Sequence, residues 1–484
     1  MLWKYISIYG MGLQEKNYFE FPHFFIRVCL FLNKIKMQKH WIFVIIESPQ
    51  NNETKECFCM INYSRLGYEI KRDFTNFSQK ISNGLKRPQE KFVHQMVYGI
   101  LAGNKLHLSE IARSLKENIT LKKTIDRLSK NLNAFADKDS LMHNYLSLVK
   151  QHVKDDYAVI IIDNSDIAKP ASKKMEALSE IRDGSTGKIT QGYLTIDAAI
   201  LSEKGKMPFP VYEKVFSAAE KGFISETYEN LCCLKSLSEN FTPKCVRTLD
   251  RGFDANDYYR YFLKHKERFV IRAKKNRNVI YDGQTCNIMD VASRYKGAYR
   301  MDFKNKKDKY VQCKMSCIPV RLCEFPSKEL VLTVVYGFGE EPMLLLSNLK
   351  MQEKKKLCHI ITKVYLLRWR IEEYFRFKKQ QFELEDLRVM SLSSIRNLNL
   401  FAMLAVGYIG LTTAIHKDSI FLAELKECSK RIYEMPQFIF YAIGYALERV
   451  LSMSRFGIIG FLPPKVRSRQ ITLFEYFKIA DCGT

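Results

Sequence analysis

Apolar residues recur three and four positions apart over much of the chain between residues 60 and 150, which is the period of an amphipathic helix. Gly103 and Asn104 follow one such segment as a helix stop, and Thr120 is placed to cap another at its N-terminus. Helices are predicted over residues 89–102, 108–115, 120–132 and 139–150. The second and third of these predict a helix-turn-helix-like unit.

The pattern changes to short β-type runs after residue 156. The first run, from Tyr157 to Asp163, is apolar and β-branched and ends in an acid, as in a central strand buried on both faces. A later, shorter run ends in a second acid, Asp250. Strands are predicted over residues 157–163, 192–200, 207–215 and 245–250, with a helix over residues 225–238. The two strand-end acids are candidate functional residues.

The stretch between Asp250 and Glu372 is too long for a simple connection within one compact fold. Four strand-like runs lie in it, over residues 269–272, 310–315, 330–336 and 343–347. We therefore expect a β-rich insertion there. Its basic run 304–309 fits either a solvated loop or a contact to a DNA backbone, and the sequence does not decide between them. Helices are predicted beyond it over residues 398–415 and 420–451.

A charged helix is predicted over residues 365–379. At 3.6 residues per turn, four of its polar residues fall within roughly 60° of one face, opposite apolar and aromatic residues. A face that presents one carboxylate and two cations suits a phosphate site, although a single charged face is often only solvated. The four residues are Tyr365, Arg368, Glu372 and Lys379.

This Y-x2-R-x3-E-x6-K spacing resembles the signature of a branch of bacterial insertion-sequence transposases of the DDE class, and it matches at all four positions. The likeness extends over roughly residues 60 to 460 and includes a D-R-G-F turn that begins at Asp250. It implies an α/β fold with a ribonuclease-H-like catalytic domain, a β-rich insertion between the second aspartate and the glutamate, and helical N-terminal and C-terminal regions. It also implies that Asp163, Asp250 and Glu372 are the catalytic residues and hold two metal ions.

Three carboxylates suit that chemistry, because two Mg²⁺ ions about 4 Å apart can activate a nucleophile and stabilise the leaving oxygen of a phosphodiester. Mg²⁺ prefers hard oxygen ligands and needs neither histidine nor cysteine. We expect two Mg²⁺ ions, with Mn²⁺ able to substitute. Nearby acids are weaker candidates: Asp166 lies past the predicted strand end, Asp254 suits a helix N-cap, and Glu373 lies about 100° around the helix from Glu372.

Several cations are predicted to contact DNA. Arg368 can bind a phosphate with two parallel hydrogen bonds, Lys379 can act as a point charge and Tyr365 can donate its hydroxyl. The resemblance places these three on the transposon-end strand. On the helix-turn-helix-like unit, a groove-entering helix and a plain packing unit with solvated lysines are equally compatible with the sequence. The further predicted DNA contacts are Arg376, Arg251, Lys122, Lys123 and Arg127.

Composition supports a nucleic-acid partner. The 484 residues include 77 Lys and Arg against 52 Asp and Glu, a net charge of +25 that favours a polyanion through counterion release. The longest apolar run, residues 400–415, is shorter than the ~20 residues a bilayer needs, which argues against a membrane partner. The 13 cysteines are scattered, so reduced thiols are expected, with Cys313, Cys317 and Cys323 as core or strand residues.

These inferences predict a DNA transposase that cuts at transposon ends and joins them to target DNA. Double-stranded DNA, both ends and target, is the expected partner, bound by a homodimer on paired ends in a bacterial, nucleoid-associated cytoplasmic setting. The alternatives are a catalytically inactive transposase-derived DNA-binding protein and a structure-specific nuclease of the same fold. The predicted organisation is an upstream-start extension of unknown fold (1–59), a helical DNA-binding region (60–150), the catalytic domain (151–265 and 350–400), the insertion (266–349), and a C-terminal helical region with a basic tail (401–484).

Overall fold

The chain divides into two units, residues 1–64 and residues 65–484. The first contains a three-stranded antiparallel sheet in the order β1-β2-β3. Its strands are β1 (Tyr18–Phe21), β2 (Phe24–Leu30) and β3 (Ile42–Glu47). The sequence did not predict these strands, because Arg27 and other basic residues interrupt the short apolar runs.

The computed structural model describes residues 18–21, 24–30, 42–47, 63–153, 158–201, 207–304, 310–429, 436, 438–454 and 457–458. Four sequence predictions fall at least partly outside these residues: the start of the strand at Tyr157, most of the basic run 304–309, residues 430–435 and 437 of the helical stretch 420–451, and the basic tail with Lys465, Arg467 and Arg469.

Five helices precede β4 in the residues that the structure describes, and four of them were predicted. They are α1 (Tyr63–Ile81), α2 (Arg87–Gly103), α3 (Leu108–Leu115), α4 (Leu121–Ala134) and α5 (Lys138–Lys150). Asn104 ends α2 in the left-handed conformation, with φ of 53°, and its N–H donates to the carbonyl of Ile100. Thr120 occupies the N-cap position of α4, although its side chain makes no capping hydrogen bond within the described residues.

The second unit is built on one twelve-stranded mixed sheet, with strand order β11-β10-β13-β14-β15-β9-β8-β4-β6-β5 and with β12 on β13 and β7 on β6. The strands before the second acid are β4 (Val159–Ala168), β5 (Ser179–Arg182), β6 (Ile189–Leu201), β7 (Phe209–Phe216) and β8 (Val246–Leu249). Those after it are β9 (Arg268–Arg272), β10 (Asn278–Tyr281), β11 (Gln284–Asn287), β12 (Tyr299–Lys304), β13 (Tyr310–Leu322), β14 (Phe325–Tyr336) and β15 (Met343–Ser347).

The strands of the predicted insertion extend this sheet. β9 runs parallel to β8, and its other edge pairs antiparallel with β15, which continues into β14 and β13. Pairing on both edges satisfies the backbone groups that an edge strand would leave open. The β-rich character predicted between Asp250 and Glu372 is confirmed, whereas the boundary of an insertion at residues 266–349 stays a prediction.

The described part of the chain contains eight further α-helices. They are α6 (Glu226–Asn240), α7 (Asn256–His265), α8 (Ile288–Ser293), α9 (Lys354–Leu367), α10 (Trp369–Arg376), α11 (Leu392–Ile415), α12 (Ile420–Cys428) and α13 (Phe440–Ser452). In its described residues, the stretch 420–451 that was predicted as helical contains α12 and most of α13. Within the described residues, α11 is the one helix long and apolar enough to cross a bilayer, and 89% of its most apolar window is buried inside the protein. It is the central core helix of the C-terminal region.

One cysteine pair differs from the expectation of reduced thiols. Cys317 on β13 and Cys358 on α9 are joined as a disulfide, with Cα atoms 5.9 Å apart. Cys313 is buried on β13 and Cys323 is exposed just after it, so Cys323 is not a core residue.

We expect Arg247→Met to lower the free energy of unfolding by about 3–5 kcal/mol, because it leaves a buried carboxylate without its partner. Arg247 on β8 is 0% exposed and donates to Glu267 at 3.1 Å and to the carbonyl of Cys245 at 2.8 Å. Urea unfolding measures the change. Arg113→Ala, which removes an exposed ion pair with Glu110, is the control and should change stability by less than about 0.5 kcal/mol. An equal effect of both variants would contradict the prediction.

Candidate active site

The two predicted aspartates leave neighbouring parallel strands at the same edge. β4 pairs in parallel with β8 from Val159↔Val246 to Ile162↔Leu249, and the next residues along the two strands are Asp163 and Asp250. β4 itself continues to Ala168 against β6. The prediction that Asp163 ends its strand is therefore wrong for β4 as a whole, but it lies where the parallel ladder ends. Carboxyl ends of parallel strands are a common position for functional side chains.

The glutamate comes from a helix that is irregular at two points. Arg368 separates α9 from α10, and its N–H bonds to the carbonyl of Tyr365, three residues back, at 3.0 Å. Its φ of −53° and ψ of −32° keep the backbone helical, so the predicted helix is continuous in direction. After Arg376 a π-helical turn, Phe377–Gln381, replaces the α-helix. The predicted face at 3.6 residues per turn therefore does not extend to Lys379, because π-turns are wider.

A single guanidinium joins two of the three predicted acids. Arg368 donates from Nη1 to Oδ2 of Asp163 at 2.6 Å and from Nη2 to Oε1 of Glu372 at 2.9 Å. It is 6% exposed. Both contacts are charge-assisted, and they link α10 to β4 at the level of the acids.

Tyr365 connects the third acid to this group. Its hydroxyl lies 3.5 Å from Oδ1 of Asp250, and its ring centroid lies 5.7 Å from the guanidinium carbon of Arg368. Asp250 also accepts the N–H of Arg251 at 2.5 Å, which caps the short 3₁₀ helix Arg251–Phe253. The structure thus gathers Asp163, Asp250 and Glu372 around Arg368, although sequence separates them widely.

Burial dominates the electrostatics of this site. It raises the pKa of Asp163 to about 7, and Asp250 and Glu372 add to the rise while Arg368 opposes it. Burial also lowers the pKa of Arg368, but the neighbouring carboxylates, Asp163 first, outweigh it and the net pKa is raised. Burial therefore disfavours the charged form of Asp163, and the adjacent Arg368 favours it.

The donor set fits a hard divalent cation, because the three acids offer carboxylate oxygens and a cationic group already lies between two of them. Asp163, Asp250 and Glu372 surround Arg368 but do not form a group whose ligand atoms all lie within 4.8 Å of one another. Among the described residues, a different group, His107, Glu383 and Asp386, has potential ligand atoms that all lie within 4.8 Å of one another. Glu383 of that group is already paired with Lys105 at 2.8 Å.

The other predicted DNA contacts lie at several places. Lys379 pairs with Asp166 at 3.1 Å and with Glu385 at 2.9 Å. Exposed Arg376 pairs with Glu373 at 2.7 Å. The remaining four are Arg251, Lys122 and Lys123, which are exposed, and Arg127, which is half-buried and pairs with Glu117 at 2.6 Å. All eight DNA contacts stay predictions.

The alternative acids have partners of their own. Asp254 was expected to cap a helix from residue 255, but α7 has Ala255 as its N-cap, so that expectation is wrong. Asp254 is instead 2% exposed and pairs with Arg277 at 2.5 Å, and it accepts the hydroxyl of Tyr259 at 2.7 Å. Asp166 lies within β4 rather than beyond it. Both acids are tied to structural partners.

Sequence analysis missed a second charged group behind the helix. Asp197 on β6 is 0% exposed and pairs with Lys378, which is 1% exposed. Burial raises the pKa of nearby Glu213 to about 7, and Asp197 adds to the shift. The available signal was an acid in the middle of an otherwise apolar strand, since such an acid is rarely fully buried unless it is paired.

One family model matches part of the chain. The family model described as "Transposase DDE domain" matches residues 230–407. The match supports a DDE-type transposase; it spans Asp250 and Glu372 and leaves Asp163 outside. No curated protein sequence matches the chain.

Solved structures similar to the chain include a cryo-EM structure of a piggyBac transposase synaptic complex with hairpin DNA. The sequence identity is 9%, the TM-score is 0.43, and the alignment covers 87% of this chain and 85% of that chain. Similarity at this level does not establish a shared fold.

Proposed function

We propose that this protein is a DNA transposase that cuts at transposon ends and joins them to target DNA, with Asp163, Asp250 and Glu372 as its catalytic acids. The observation that carries the proposal is the meeting of three widely separated carboxylates at the end of the β4–β8 ladder, around Arg368. The family match over residues 230–407 supports the reaction class. On this proposal the strands and helices around the site form a ribonuclease-H-like catalytic domain.

The three acids would hold two Mg²⁺ ions, with Mn²⁺ able to substitute. When bound, such ions activate an oxygen nucleophile and stabilise the leaving oxygen of the phosphodiester. The chain itself supplies the carboxylates and holds them in place. β4 and β8 hold two carboxylates at adjacent strand positions, and α10 brings the third from the facing helix.

Arg368 has two tasks in this proposal. In the structure its guanidinium pairs with Asp163 and with Glu372, and its single positive charge reduces the repulsion between the two carboxylates in a partly buried site. With Asp163 and Glu372 engaged in holding metal, its planar fork would be available for a phosphate of the bound strand. The arginine would thus move between carboxylate and phosphate partners.

Double-stranded DNA is the proposed partner, and the net charge of +25 provides the favourable counterion-release term. The exposed cations Lys122, Lys123, Arg251 and Arg376 are the proposed backbone contacts. We further propose a homodimer on paired ends, in a bacterial cytoplasm. Phosphate contacts position the strand, while the acids perform the chemistry.

The test uses the full chain with a plasmid that carries the DNA flanking its coding region on both sides. We expect Mg²⁺-dependent double-strand release at those flanks and joining to a second plasmid, with EDTA abolishing both. Sequencing of the junctions measures the outcome. Binding without cleavage would favour the inactive DNA-binding protein, and cleavage of branched DNA irrespective of the flanks would favour the structure-specific nuclease.

A further inference from the structure

A fully buried ion pair lies behind the candidate active site. Lys378, in the π-helical turn that follows α10, places Nζ 2.5 Å from Oδ1 of Asp197 on β6. The side chains are 1% and 0% exposed. A charged pair at this depth needs several polar partners to offset its desolvation. The surrounding residues supply them.

Those partners come from three elements. The hydroxyl of Tyr374 on α10 donates to Oδ1 of Asp197 at 3.3 Å, and the hydroxyl of Thr195 on β6 donates to Oδ2 at 3.0 Å. Nζ of Lys378 also lies 3.4 Å from Oδ1 of Asn399 on α11. One carboxylate therefore holds the helix of Glu372 at residues 374 and 378, which are one turn apart.

Asp197 lies next to the catalytic strand in the sheet. In the antiparallel β4–β6 pair, Asp197 lies directly opposite Asp163. Directly opposed side chains of an antiparallel pair lie on the same face of the sheet. The anchoring point of α10 on β6 and the catalytic aspartate on β4 are thus cross-strand neighbours.

We propose that Asp197 and Lys378 are positioning residues, which fix the helix that carries Glu372 in register with the strand that carries Asp163. The inference rests on the proposed function, because it concerns the geometry of that metal-binding site. Neither residue touches the reacting atoms. We do not assign Asp197 as a fourth metal ligand, because its side chain is 0% exposed, whereas that of Asp163 is 18% exposed.

Stability alone would not account for the pair. Replacing both members of a buried ion pair by uncharged residues of similar size is often neutral for stability, whereas removing one member is strongly destabilising. This difference separates a positioning role from a structural one. A double variant can recover stability while it loses the directional contact that sets the helix register.

The experiment compares Asp197→Asn, Lys378→Met and the double variant Asp197→Asn/Lys378→Met in the full chain. The double variant keeps an acceptor for Tyr374 and removes both charges. Four quantities are measured: melting temperature, the dissociation constant for Mn²⁺ by electron paramagnetic resonance without DNA, the dissociation constant for flank DNA, and the cleavage rate at saturating DNA.

We expect both single variants to melt lower than wild type and the double variant to melt close to it. The double variant should still bind Mn²⁺ about tenfold more weakly and cleave at least about tenfold more slowly, with unchanged DNA affinity, because small misplacements of a catalytic group are costly. The control is Lys214→Met/Glu229→Gln, which removes an ion pair between β7 and α6 instead of α10. It should leave Mn²⁺ binding and cleavage unchanged.

A double variant with wild-type melting, Mn²⁺ affinity and cleavage rate would overturn the positioning role and leave the proposed function intact. If the double variant does not fold, Tyr374→Phe decides, because it removes only a hydroxyl: wild-type Mn²⁺ affinity and rate in that variant would equally overturn the role. A wild-type protein that neither cleaves flank DNA nor binds Mn²⁺ would refute the proposed function, and the positioning role would fall with it.

Discussion

Alanine at Asp163, Asp250 or Glu372 is expected to reduce Mg²⁺-dependent cleavage at the flanks by at least about a thousandfold, which is roughly 4 kcal/mol of transition-state stabilisation. Each acid would hold metal that the others cannot hold without it, since three carboxylates share two ions in this proposal. Binding to flank DNA should stay within about threefold of wild type, because backbone affinity comes from the basic surface. The measurements are single-turnover cleavage and gel-shift titration.

Glu373→Ala is the matched control for Glu372→Ala. Glu373 is the next residue on α10, and it pairs with exposed Arg376 rather than with Arg368. The control should cleave at nearly the wild-type rate. Cleavage that survives Glu372→Ala but not Glu373→Ala would exchange the roles of the two acids, and cleavage that survives all three triad changes would refute the assignment.

Arg368→Ala should weaken cleavage about tenfold to a hundredfold without abolishing it, because it removes a phosphate contact of ~1–3 kcal/mol and leaves the metal ligands in place. Affinity for flank DNA should fall, and its salt dependence should become shallower by about one unit for the lost contact. Arg368→Lys should also be impaired, since lysine lacks the planar fork. Cleavage and a salt series of binding titrations provide the measurements.

Arg368→Ala should strengthen metal binding, although it weakens cleavage and DNA binding. Because its guanidinium lies between Asp163 and Glu372, it competes with divalent cations for both. Without DNA, Arg368→Ala is therefore expected to bind Mn²⁺ more tightly than wild type, by about tenfold for a competing contact of ~1.4 kcal/mol. Arg260→Ala, which removes an exposed ion pair on α7, is the control. Equal Mn²⁺ affinity and an unchanged salt slope in Arg368→Ala would contradict both roles.

The charged face of the helix over residues 365–379 is not simply solvated. A solvated face was the alternative, and the structure instead gives Arg368 an exposure of 6% and two carboxylate partners. Lys379 is likewise paired, with Asp166 and Glu385. These cations are held in ion pairs, so a DNA phosphate would have to compete with carboxylates for them.

The sequence by itself determined the local elements and the candidate acids. Helical spacing predicted α2 to α5 closely, and apolar runs predicted the cores of β4, β6, β7 and β13 to β15, because each pattern depends on residues near one another. The spacing of Tyr365, Arg368, Glu372 and Lys379 singled out the helix whose Arg368 contacts Asp163 in the structure. Local patterning did not predict the three strands of residues 18–47, whose apolar runs are short and interrupted.

Tertiary structure decided which residues meet. The parallel register of β4 and β8 places Asp163 beside Asp250, and strand pairing across distant sequence cannot be read from either run alone. The π-helical turn after Arg376 altered the face assumed for Lys379. The pairing of Asp197 with Lys378 depends on the fold, which brings β6 and the π-helical turn together. Neither charge could be buried without a partner that the fold supplies.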